Sequence, residues 1–389
     1  MSNLRITRIE VHEFGYDLKD MTKDYNGFNL GYKKGSVQRS VSYAMKVETN
    51  EGVSGEYIGG CSPTFAQFHM IANYLIGKDP LQRERLYNDM KRALRKYDKM
   101  GMGPIDIALW DLAGKYYGAS ISEMLGGWKQ SLPCYASTYH GDRNGGLDSP
   151  AAFAEFALQC KNMGYPAFKI HGWGDCDIKE EIENIYAIRD KVGDDMDLMN
   201  DPACEPRTFM EALKIGRACD EANLVWLEDP YADTGISQHA HRKLRQMIST
   251  PILVTEHIRG LEQHVDFIAN DGTDIVRVDA NYDGGITGAM KIAHAAEGFG
   301  LDVEVHAPGP AHRHVMSAIR NTNYYEMALV HPLTDEHGLP PVYSCGYKDG
   351  LHAIDDKGHV PVPVGPGLGV SYDWDFIMEN RMGGRVYEA

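Results

Sequence analysis

From about residue 133 the chain repeats one pattern: a short apolar, β-prone run followed by a stretch with apolar residues at helical spacing. The runs read CYAST, AFKIH, DLMND, LVWLE, ILVTE, IVRVD, DVEVH and YYEMAL. Stretches between them, such as MEALKIGRACDEAN and TGAMKIAHAAEGFG, end in Asn or Gly, as helices often do. Strands alternating with helices predict a parallel sheet, and eight such units predict a closed α/β barrel rather than an open sheet. After the eighth run the chain becomes rich in Gly and Pro (HGLPPVYSCGYKDG), so the last unit is expected to lack its helix.

The first 60 residues read differently. RITRIEVHEF and SVSYAMKVETN alternate apolar and polar positions, and a turn at Asn50–Gly52 leads into VSGEYIGG, which predicts antiparallel strands. Residues 17–36 are polar with no clear period and are expected to form a long loop. Helical patterns run from about 64 to 125. The tail HVPVPVGPGLGVSYDWDF is expected to fold back on the N-terminal segment. This predicts an α+β domain over residues 1–130, joined by a returning segment from about 360 to 389, and a barrel over 131–359.

The ends of the barrel strands carry the chemistry. Lys169 and His171 share one face of AFKIH; the next strands end in Asp201, Glu228, Glu256, Asp279, His306 and Glu326. Barrel enzymes build their sites at the C-terminal ends of the strands. Alternation in VWLEDP puts Glu228 inward and Asp229 outward, and the same alternation selects Glu256, Asp279 and His306. Asp201, Glu228 and Glu256 come from adjacent strands and would repel one another. An all-oxygen set of this kind suits a hard divalent ion, Mg²⁺ rather than zinc. Asp279 beside His306 fixes the imidazole tautomer and raises its basicity. Lys169 and His171 face His306 across the mouth. A carboxylate held between them could lose its α-proton, and the enediolate formed would depend on the metal and the cationic side chains. By parity Arg277 and Glu304 lie inside the barrel one layer lower, paired with each other or with another charge.

Other features change this picture little. The net charge of −16 comes without a basic run, which disfavours nucleic acid as a partner. No apolar run is long enough to span a membrane, no leader is evident, and the seven cysteines are dispersed, so a cytoplasmic, thiol-reduced protein is expected. GPGLG at 365–369 reads as a turn, and HAHRK at 239–243 as a solvated segment. His312 and His314 fall beyond their strand, which argues against a zinc set with His306.

LMNDP, VWLEDP, VTEH, RVDANYDGGITG and VEVHAP together resemble the enolase superfamily, and its mandelate racemase subgroup in particular, over nearly the whole chain. The resemblance implies a (β/α)₇β TIM-like barrel under an α+β capping domain and assigns Asp201, Glu228 and Glu256 to Mg²⁺. It makes Asp279–His306 the catalytic dyad and Glu326 a hydrogen-bonding partner of the substrate carboxylate. Segment 17–36 becomes the capping loop, and a homo-oligomer is implied. Two positions depart from the family pattern: Lys169-x-His171 stands where Lys-x-Lys is usual, and Ala203 where an asparagine is common. Lys169 would then polarise the carboxylate while His171 takes the acid–base role. The implied reaction is dehydration of an aldonate or aldarate to a 2-keto-3-deoxy acid. Tyr25, Asn26, Asn29, Tyr139 and His140 offer hydrogen bonds to such a polyol. Racemisation or epimerisation is the competing reaction, and a catalytically silent binding protein the reading from another class.

Overall fold

The computed structural model describes residues 3–24, 27, 29–232 and 235–388. Strand β1 (Ile6–Lys23) pairs antiparallel with β2 (Leu30–Thr49), which pairs with β3 (Ser54–Ile58). The buried face of β1 changes parity along its length. Ile9 and Val11 join the main core, whereas Phe14, Tyr16 and Leu18 join a second cluster with Tyr139, Val342 and Ile377. The change falls at an irregularity between Glu13 and Phe14 in the pairing with the last strand of the chain.

Segment 17–36 is not the loop expected. Pairing continues from Asp17 with Arg39 to Lys23 with Leu30, so most of the segment is a strand hairpin. A second shift between Lys19 and Met21 places Leu18 and Met21, both buried, out of phase, which hides the strand period in the sequence. The hairpin lies against the barrel mouth: Tyr16 donates to the Gly338 carbonyl at 2.8 Å, and Asn144 Nδ2 to the Tyr32 carbonyl at 2.8 Å.

The barrel strands are β4 (Ser131–Thr138), β5 (Ala167–His171), β6 (Asp197–Asp201), β7 (Trp226–Glu228), β8 (Ile252–Val254), β9 (Ile275–Val278), β10 (Asp302–Val305) and β11 (Tyr325–Val330). They lie in the order β10-β9-β8-β7-β6-β5-β4-β11, with a helix after each of the first seven. Segment 331–373 follows β11 without a helix. It contributes β12 (His359–Pro361), antiparallel to β4, and β13 (Arg381–Glu388) then adds to the edge of β1. The architecture is the barrel that the alternation predicted, in the (β/α)₇β form with a capping sheet that the resemblance implied. The turn expected at 365–369 packs tightly: a Cβ on Gly367, whose φ is +71°, would meet the Asp111 carboxylate. His241, expected in solvent, is buried against the Tyr231 ring instead. Among the described residues no helix is long and apolar enough to cross a membrane.

Inside the barrel Tyr135, Ala167, Met199, Trp226, Leu253 and Ile275 form an apolar floor, while Phe168, Ile170, Leu198, Val276 and Val303 face the helices. The seam between β10 and β11 is joined by the Val303 N–H donating to the Asn321 carbonyl at 2.7 Å. The buried Glu304 carboxylate helps, accepting from the backbone N–H groups of Asn323 and Tyr324 and from Asn323 Nδ2. Glu304 is thus satisfied by amides and not by Arg277.

Burial lifts the Glu304 carboxyl to about 7 from an ordinary 4.5, against the lowering effect of those amides. The folded group holds its proton where the unfolded one has lost it, so its contribution to stability is full below pH 4.5 and declines as pH rises to about 7. Glu304→Gln is expected to remove this component. The wild-type advantage over the variant should shrink by up to about 3 kcal/mol between pH 4.5 and 7.5. Urea unfolding at the two pH values checks it; a constant difference would contradict it.

Candidate active site

One strand end corrects the alternation argument. In β8 Leu253 faces the barrel interior, so Thr255 and not Glu256 holds the next inward register. The chain ends β8 at Val254 and gives Thr255 a φ of +95°, an unusual conformation for a β-branched residue. The Thr255 hydroxyl holds that kink by donating to the Arg277 carbonyl at 2.8 Å and accepting from the Arg277 N–H at 2.9 Å. Glu256 is thereby carried to the mouth. Thr255→Val removes both bonds while keeping the strained shape. It is expected to lower unfolding free energy by about 1–3 kcal/mol, read by urea titration.

Lys169, His171, Asp201, Glu256, His306 and Glu326 line one cavity of about 410 Å³, together with Asn29, His140, Ala203, Asp229, His257 and His337. Below them lies a buried lattice of charge. Lys169 Nζ is 2.9 Å from Glu228 Oε2, 2.9 Å from Glu326 Oε1 and 3.2 Å from Asp201 Oδ2. Arg277 lies 2.8 Å from Glu228 Oε1 and 2.6 Å from Glu326 Oε2, and also donates to Tyr135. Arg277 therefore reaches up into the site layer, higher than its register alone suggested. Burial opposes ionisation of Asp201 and Glu326. The cations beside them outweigh it and hold both carboxyls well below the ordinary range. Glu228 has the least favourable place in this competition, and burial pushes it up to about 7.

His171 donates from Nδ1 to the Thr138 carbonyl at 2.7 Å, which leaves Nε2 facing Asp201 Oδ2 at 3.0 Å. The His140 ring lies 4.9 Å from it; burial and the neighbouring His171 depress His140 to about 3, so it stays neutral. His306 Nδ1 donates to Asp279 Oδ2 at 2.7 Å, and its Nε2 lies 3.4 Å from Glu256 Oε1. Burial disfavours charge on His306, but Glu256, Asp279 and Glu326 together raise it to about 9. Asp279 is held from a second side by His312 Nε2 at 3.0 Å and by the Asn281 N–H at 2.6 Å. His312 falls beyond its strand, as the sequence indicates, but the helix Pro310–Ala318 turns it back toward the aspartate. Asn281 in turn accepts from Tyr57 of β3, so the capping sheet touches the support of the dyad.

The structure sorts the remaining expectations. Asn29 and His140 line the cavity. Tyr139 does not: it is packed in the second core under the hairpin. Tyr25 and Asn26 lie outside the described residues. Asp229 does not turn away from the mouth: a φ of +38° swings its carboxylate to His257, 2.8 Å away. No periodicity in the sequence marks such a kink.

Asp201, Glu228 and Glu256 supply hard carboxylate oxygens from three neighbouring staves of the barrel. In donor type and charge the set fits Mg²⁺. Asp201 and Glu228 meet at Lys169, whereas Glu256 is turned toward His306. Among the described residues the one set of three potential ligand atoms all within 4.8 Å of one another is Cys204, Asp229 and His257.

Comparison with known proteins places the chain in a family and supports the fold. Residues 152–376 match the family model described as enolase C-terminal domain-like, and residues 30–126 that of the mandelate racemase / muconate lactonizing enzyme N-terminal domain. The chain is 29% identical over 359 residues to D-galactarolactone cycloisomerase of Agrobacterium fabrum, covering 88% of this chain and 92% of the relative. It is 30% identical over 275 residues to L-talarate/galactarate dehydratase of Salmonella typhimurium, covering 69% and 67%. The crystal structure of D-glucarate dehydratase from Agrobacterium tumefaciens complexed with magnesium superposes with a TM-score of 0.87 at 30% identity, over 98% of this chain and 100% of that one.

Proposed function

The chain belongs to the enolase superfamily, in its mandelate racemase subgroup, and from that premise we propose that it dehydrates a sugar acid. The reaction removes the proton α to the carboxylate and expels the β-hydroxyl, giving a 2-keto-3-deoxy acid. The observation that carries this reading is a pair of histidines with oriented ring nitrogens, His171 and the Asp279-supported His306, lining one cavity with Lys169 and Glu326 between the carboxylates. The similarity to the L-talarate/galactarate and D-glucarate dehydratases supports a polyhydroxy acid as substrate.

Asp201, Glu228 and Glu256 would hold Mg²⁺, which supplies Lewis-acid charge to an oxyanion forming at the substrate carboxylate. Lys169 donates to that carboxylate from the cavity floor. Glu326 is kept in position by Arg277, by Ser137 at 3.0 Å and by the Ala307 N–H at 2.8 Å. His171 or His306 takes the α-proton at Nε2. His306, as the imidazolium braced by Asp279, delivers a proton to the departing hydroxyl.

A panel of aldonates and aldarates, with Mg²⁺ present and 2-keto acid trapped by semicarbazide, tests the proposal. Mass spectrometry in D₂O separates the alternatives: loss of water means dehydration, and deuterium gain without it means epimerisation. A flat panel with no Mg²⁺ binding would point to a binding protein. Exhaustive chelation is expected to abolish turnover and Mg²⁺ to restore it; full activity after chelation would refute the metal assignment.

A further inference from the structure

Beside the trio assigned to magnesium, three other side chains meet at the mouth. Cys204 follows β6, Asp229 follows β7 and His257 follows β8, and one ligand atom from each lies within 4.8 Å of the other two. The loops are tied by the Cys204 N–H donating to the Asp229 carbonyl at 3.0 Å. Asp229 is 2% exposed. One of its oxygens, Oδ2, lies 2.8 Å from His257 Nε2, while the other, Oδ1, is buried without a hydrogen-bond partner. A buried carboxylate oxygen in that condition is expensive unless something binds it. Space beside it is kept by Gly235, where a Cβ would stand 2.8 Å from Oδ1.

We propose that Cys204, Asp229 and His257 bind a borderline divalent cation of the zinc and cobalt class, at a site separate from Asp201, Glu228 and Glu256. The donor types decide the class. Thiolate, imidazole and carboxylate together favour zinc over magnesium, and three protein ligands leave a fourth position open. Asp229 and His257 also line the cavity, so that position lies beside the substrate space. Binding displaces the proton from the thiol and any proton on the imidazole, and it bridges three successive mouth loops.

Cobalt is the direct probe. The full-length protein saturated with Mg²⁺ is titrated with Co²⁺. The expected result is a near-ultraviolet thiolate-to-cobalt charge-transfer band that saturates at one equivalent and is bleached by Zn²⁺. Cys204→Ser should abolish the band, and His257→Gln should weaken Co²⁺ binding by about tenfold or more. No band in the Mg²⁺-saturated protein, or an undiminished band in folded Cys204→Ser, overturns the proposal. A second readout needs no variant: Zn²⁺ should slow alkylation of Cys204 by iodoacetamide about tenfold, followed by peptide mass spectrometry. An unchanged rate overturns it equally. Neither measurement depends on the sugar-acid reaction.

Discussion

His306→Asn is expected to lower kcat about 10³-fold while KM changes little, because it removes a proton-transfer group and leaves the cavity walls in place. The imidazole is the outer end of a hydrogen-bonded chain. Asp279 receives hydrogen bonds from His312 and from the Asn281 N–H, and so holds His306 Nδ1 without moving itself. Asparagine can occupy part of that space but offers no group that exchanges protons near neutrality. The measurement is semicarbazide-detected turnover on the best acid of the panel, with thermal unfolding alongside to show an intact fold. His171→Asn supplies the other half of the test. If His171 takes the α-proton, its variant should lose exchange of that proton with D₂O, whereas His306→Asn retains exchange and loses elimination. The opposite pattern would assign the base to His306. Activity within tenfold of wild type in His306→Asn would remove the dyad from the mechanism.

Arg277→Met should have the largest effect on stability, a loss of about 3–5 kcal/mol, because breaking a buried ion pair strands the partner charges. Arg277 is fully buried and lies against both Glu228 and Glu326, which also share Lys169. Without the guanidinium, one lysine faces three carboxylates, and the unfavourable ionisation of Glu228 worsens. A second change should reverse part of the damage. Arg277→Met combined with Glu326→Gln is expected to be more stable than Arg277→Met alone, since one stranded charge is gone. Equilibrium urea unfolding of the wild type and these two variants without added metal gives the comparison. A loss under 1 kcal/mol for the single variant would mean that water reaches this lattice and screens it.

Much of this protein follows from its local pattern. Strand–helix alternation is a short-range property of the chain, and eight repeats leave few topologies other than a barrel. Strand ends were equally readable wherever the period of two held. Lys169, His171, Asp201, Glu228, Asp279 and His306 follow inward neighbours at the correct parity, and Arg277 and Glu304 are buried inside as that parity required.

The sequence failed where the backbone leaves that period. Thr255 and Asp229 take positive φ values, and these bring Glu256 and the Asp229 carboxylate to the mouth against simple alternation. Bulges in β1 concealed a paired hairpin within a polar segment and placed Tyr139 beneath it. His312 joined Asp279, 33 residues earlier in the chain, only because the helix Pro310–Ala318 turns back toward it, a closure that no local spacing reports.

What the sequence determined, then, is the barrel and the residue types at its rim, because both depend on periodicities of two and 3.6 residues. What the tertiary structure alone decided is which charges share which partners: Arg277 with Glu228 and Glu326, Glu304 with backbone amides, Asp229 with His257. Those choices turn on ångström-scale distances between segments far apart in the chain, where burial makes each unbalanced charge costly.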